Sequence, residues 1–73
     1  MYKFQFLYEN KSFQEFEHIS KVKYSKFSDF EISESEILEH NFPIGPDMHL
    51  FAKDASYTAS GKNLKSISVF KEE

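Results

Sequence analysis

The sequence predicts a mainly β domain, a small antiparallel meander or barrel with a minor α contribution from one short helix near residues 34–40. Three observations lead there. Residues 2–9 alternate between the two faces of an extended chain, later apolar residues fall in short runs divided by turn signals, and only one segment carries helix-start chemistry. The chain has 73 residues, which fits a single domain over 1–73 and leaves no room for a second. Leu, Ile, Val and Phe account for 20 of the 73 residues, above the ~20% below which charged chains usually stay disordered. The chain is therefore expected to fold, around a core small enough to leave it marginally stable.

The first strand places Tyr2, Phe4, Phe6 and Tyr8 on one face and Lys3, Gln5, Leu7 and Glu9 on the other. Aromatics at period two suit a half-buried pleated surface. Asn10-Lys11 reads as a turn, with Ser12–Glu17 returning as the second arm of a hairpin. A rival reading stands beside it, because Ser12-Phe13-Gln14-Glu15 fits a capping box and Phe13, Phe16 and Ile19 recur at helical spacing. Alternation resumes over Ile19–Tyr24 and favours the strand. Phe27, Phe30 and Ile32 continue the extended pattern. Ser33–His40 is the helix candidate, with Ser33 as N-cap, Glu36 reaching back and Glu34 at the positive end of the dipole. Asn41-Phe42-Pro43 stops it, and Pro43–Asp47 forms a loop. Met48–Ala52, Ser56–Ser60 and Leu64–Lys71 read as strands joined by turns at Lys53-Asp54 and Gly61-Lys62-Asn63. The expected core centres on Phe6, with Val22, Tyr24, Phe51, Ile67 and Val69 around it.

Composition excludes several classes of function. Cys is absent, which removes disulfides, thiolate metal sites and Cys nucleophiles. All nine basic residues are Lys, so the bidentate Arg fork that reads guanine and phosphate is missing. No apolar run approaches the ~18 residues of a membrane span, and no signal segment opens the chain. A soluble, cytoplasmic protein with no membrane association is the expectation. The ten serines include no G-x-S-x-G elbow, and no Gly-rich phosphate loop occurs. Glu36 and His40, with Asp47 and His49 beyond the loop, sketch a metal-ligand set without matching a strict motif. His18 is read as standing alone on a strand. No catalytic residue, metal site or cofactor is predicted, and the protein is not expected to be an enzyme.

Charge is distributed unevenly. Residues 1–27 carry a net +2, residues 28–49 a net −6 with no Lys, and residues 50–73 a net +1. The acidic third, Asp29, Glu31, Glu34, Glu36, Glu39 and Asp47, is the first candidate for binding a partner, since it could imitate a phosphate track on a basic protein surface. The alternative is a small barrel binding single-stranded nucleic acid through Lys21, Lys23 and Lys26, with Tyr24 and Phe27 stacking on bases. A non-enzymatic accessory protein that binds another macromolecule, foremost a protein, is the expected function. Open strand edges and a small core also predict a homodimer.

The aromatic opening strand Tyr2–Tyr8, the Arg-free composition and the closing segment Tyr57–Ile67 (YTASGKNLKSI) resemble small uncharacterised prophage-encoded proteins of low-GC Gram-positive bacteria. That resemblance implies a non-enzymatic accessory or host-interaction role and assigns no residue a function.

Overall fold

Aromatic alternation in the first segment produces the strand it predicts. The computed structural model describes residues 1–73 and contains seven strands: β1 (Tyr2–Tyr8), β2 (Phe13–Ile19), β3 (Lys21–Lys26), β4 (Ser28–Ser33), β5 (Met48–Phe51), β6 (Ser56–Ala59) and β7 (Leu64–Lys71). They form two antiparallel sheets, one ordered β2-β1-β7 and the other β4-β3-β5-β6. The helical reading of residues 12–20 is thereby excluded. Neither sheet closes into a barrel, and the strand order departs from a simple meander because β1 pairs with the last strand and β3 pairs with β5. Four edges remain.

Both sheets supply one core. Phe4, Phe6, Ile19 and Leu64 come from the first sheet, Val22, Tyr24, Ile32, Met48, Leu50 and Ala59 from the second, and Ile37 from the connection between β4 and β5. Phe4 and Phe6 are fully buried at 0% exposure, and the Phe6 ring meets Phe16 edge-on with centroids 5.8 Å apart. Val22 and Tyr24 belong to this core as expected. Ile67 and Val69 pack against its margin. Phe51 does not join it. It pairs with Lys21 across the outer face of the second sheet, with Lys21 Nζ 4.8 Å and Lys23 Nζ 5.6 Å from its ring centroid.

The expected helix at 34–40 shrinks to a 3-10 turn, Glu34–Glu36. Ser33 does stand at the N-cap position with extended backbone, but its hydroxyl donates to Glu36 Oε1 at 2.7 Å and makes no cap bond. The next residue after the turn, Ile37, is buried outright. So short a segment cannot repay helix nucleation, and delivering Ile37 to the core fixes its path instead. A second departure lies at Phe27. The extended pattern does not run through it; the chain reverses there, with Lys26 paired to Ser28.

Two close approaches hold the loops. An added Cβ on Gly61 would collide with the carbonyl oxygens of Gly45 and Pro46, and the Gly61 N–H donates to Asp47 Oδ1 at 2.9 Å. Ser20 forms the corner where the chain leaves the first sheet, its N–H donating to the Phe51 carbonyl at 2.8 Å. No helix is long and apolar enough to cross a membrane.

Candidate binding surface

The candidate residues of both charge types converge on the β3–β4 hairpin. Strand alternation puts Lys21, Lys23 and Ser25 on its outer face, and antiparallel register sets Lys23 opposite Glu31 and Ser25 opposite Asp29. Lys23 Nζ lies 3.2 Å from Glu31 Oε1, and the Ser25 hydroxyl donates to Asp29. The acidic and basic proposals thus share one surface, where Lys23 and Glu31 neutralise each other and Asp29 is held by a hydroxyl. Between them lies a concavity of about 340 Å³ lined by Lys23, Tyr24, Ser25, Asp29, Phe30, Glu31 and His49.

The remaining acidic residues are dispersed. Glu34 Oε2 pairs with the Met1 ammonium at 2.8 Å, Glu36 receives the Ser33 hydroxyl, and Asp47 holds Gly61. Glu39 stays exposed beside Glu36 and His40. No continuous acidic track results. Its carboxylates are divided among a sheet face, a turn and a loop.

Tyr24, proposed as a stacking residue, is 5% exposed and belongs to the core. Its ring stacks on Phe30 with centroids 5.0 Å apart, and its hydroxyl shares a 2.6 Å hydrogen bond with His40 Nε2. Phe42 meets His40 at 4.9 Å and Phe4 at 5.4 Å, both edge-on. These rings run without a break from the centre of the core to the base of the hairpin. Burial raises the Tyr24 pKa above its ordinary value of 10.0. It raises that of Tyr8 too, with a smaller contribution from the Asp47 carboxylate.

Beyond the braced base stands Phe27. It is wholly exposed, at 103% of its reference area, and its backbone adopts a left-handed φ of 65°. A bulky residue is a true outlier in that region, where Gly, Asn and Asp are the usual occupants. Lys26 and Ser28 flank it, both exposed. The aromatic content of the segment was visible in the sequence, whereas the reversal that exposes Phe27 was not, since no Gly, Asn or Asp occupies the turn position.

The sketched metal set is not brought together. His40 bonds Tyr24, Asp47 bonds Gly61, and His49 Nδ1 faces Thr58 Oγ1 at 3.2 Å. His18 is not alone. It occupies a bulge in β2 at a φ of 62°, and its ligand atoms lie within 4.8 Å of those of Glu17 and Glu72. Glu72 accepts the His18 backbone N–H at 3.1 Å and faces its Nδ1 at 3.2 Å, so the group acts as a clasp between β2 and the segment after β7. Comparison with protein-family models, curated proteins and solved structures finds no match to the chain.

Proposed function

We propose that the protein is a non-enzymatic binding module that presents Phe27 to an apolar cavity on a partner protein. The observation that carries this reading is a fully exposed Phe in a left-handed turn. That backbone costs roughly 1–3 kcal/mol, and a smaller turn residue would remove the cost, so the aromatic ring is the one thing its presence adds. Exposed aromatics surrounded by polar groups are the usual anchors of protein interfaces. The Tyr24, Phe30, His40 and Phe42 rings brace the hairpin, which limits the ordering lost on binding. The mixed rim of Lys23, Glu31, Ser25 and Asp29, with two carboxylates to one ammonium, matches a partner of mixed polarity better than a polyanion. With Tyr24 buried and Lys23 paired to Glu31, single-stranded nucleic acid would lose one of the two expected stacking rings and part of the basic run.

Phe27→Asn tests the reading. Asn tolerates positive φ, so the variant should gain about 1 kcal/mol, a melting-temperature rise of roughly 4–8 °C. The same variant should lose the partner recovered by cross-linking the parent protein in extracts of its native host. Undiminished recovery by the variant overturns the proposal. Gel-shift titration with oligonucleotides, sensitive to Lys21, Lys23 and Lys26, would replace it with the nucleic-acid reading.

A further inference from the structure

The four sheet edges are unequal. β2 carries the His18 bulge and the exposed charges Glu15 and Glu17, and β4 exposes Asp29 and Glu31. β6 has only four residues. Bulges, charges and short length are the usual means of keeping an edge from pairing. β7 has eight residues, no Pro, and half-buried Ile67 and Val69 on the face that meets the core; its one register shift lies at its start, between Leu64 and Ser66, and residues 66–71 are regular. Its inward face carries no charge until Lys71.

Its free backbone groups can be assigned. The Glu72 N–H donates to the Met1 carbonyl at 3.0 Å, which marks Met1 and Glu72 as a bonded pair. Because bonded and non-bonded pairs alternate along an antiparallel ladder, Lys3–Phe70, Gln5–Ser68 and Leu7–Ser66 bond to each other. Ile67, Val69 and Lys71 then point their N–H and C=O groups away from β1, and no other strand pairs with β7.

We infer that β7 pairs antiparallel with β7 of a second copy about a two-fold axis at Val69. This register opposes Val69 to its own copy and Ile67 to Lys71, so all three outward-facing residues bond. Residues of equal parity face each other, so the core-facing sides of the two copies form one continuous six-stranded surface that covers Ile67 and Val69. Beyond the regular stretch of residues 66–71, the axis brings the Lys65 end of β7 toward Glu73 of the second copy. An axis one residue earlier, at Ser68, would bond Ile67 to Val69 but leave Lys71 toward Lys65, which lies in the register shift of β7 and carries a like charge. Val69 is therefore the one axis that pairs all three outward-facing residues of β7 with one another.

Sedimentation and amide exchange on the full chain test this. The parent should dimerise at high micromolar concentration, with the Ile67, Val69 and Lys71 amides gaining protection as concentration rises. Val69→Pro removes only an outward N–H and should abolish the dimer. If that variant fails to fold, charge reversal decides. Lys65→Glu should weaken association roughly twofold to tenfold, and adding Glu73→Lys should restore it. A strictly monomeric parent overturns the inference. So does a folded Val69→Pro variant that dimerises normally, or tighter association of Lys65→Glu.

Discussion

The two hairpins β1–β2 and β3–β4 solve the same geometric problem differently. Both reverse the chain through a residue of positive φ, Lys11 at 69° and Phe27 at 65°. At Lys11 the turn is supported. Its N–H donates to the Tyr8 carbonyl at 2.9 Å, Tyr8 N–H to the Ser12 carbonyl at 3.0 Å, and Asn10 Oδ1 receives the Ser12 N–H at 2.9 Å. Neither backbone group of Phe27 has such a partner. Backbone hydrogen bonds offset the strain of the first turn, while the second has only the Ser25–Asp29 side-chain bond two residues from its tip. The first hairpin is built for the fold, and the second, on the function proposed above, for a partner.

One substitution applied to both hairpins breaks or sustains the contrast most sharply. Phe6→Ala should cost roughly 3–5 kcal/mol, because it hollows the centre of a small core. The identical change at Phe27 should move stability by less than about 0.5 kcal/mol. Thermal melts of the two variants side by side check this, and a comparable loss at both positions would mean that the hairpin tip is packed.

Alkaline unfolding gives a second comparison, since each hairpin carries one Tyr whose pKa is raised, Tyr8 on β1 and Tyr24 on β3. Above about pH 10 the unfolded chain loses these protons first, so the native state binds more of them and stability falls as pH rises. Below pH 10 neither group contributes a slope. Replacing either residue with Phe should flatten the alkaline limb of a pH-dependent denaturation series, and unchanged slopes in both variants would refute the assignment.

The smallest effect belongs to the outer face of the second hairpin. Lys23 and Glu31 are both largely exposed, and a double-mutant cycle should give them a coupling of about 0.2–1 kcal/mol that fades with added salt. A larger, salt-insensitive coupling would make this pair structural and remove it from the rim of the binding surface.

Much of the fold was legible in residue order. Alternation at Tyr2–Tyr8 and the apolar spacing of Leu64–Lys71 located their strands with the bounds observed. Period two signals a sheet but does not say which strands pair, so β1 beside β7 and β3 beside β5 had no local mark. The helix at 34–40 had the right end chemistry and too little length. At the candidate surface the residue types were visible but their neighbours were not. Register, which no single segment encodes, brought Glu31 to Lys23, whereas alternation alone already placed Tyr24 in the core and so set it against its rival role as a stacking residue. Phe51 was misplaced for a related reason: on the outer face an aromatic ring satisfies two lysines as well as it would fill a core.

The pairing of β1 with β7 also governs how the molecule is made. A growing chain exposes β1 first and its second neighbour, β7, last, about 55 residues later, which at about 5–20 residues per second is a wait of roughly 3–10 s. Throughout that interval Phe4 and Phe6 have β2 on one side and an open edge on the other. Closing so long a loop also places the domain among slow folders of high contact order. Synthesis rate and nascent-chain crowding, more than final stability, should therefore set how much of this protein escapes aggregation.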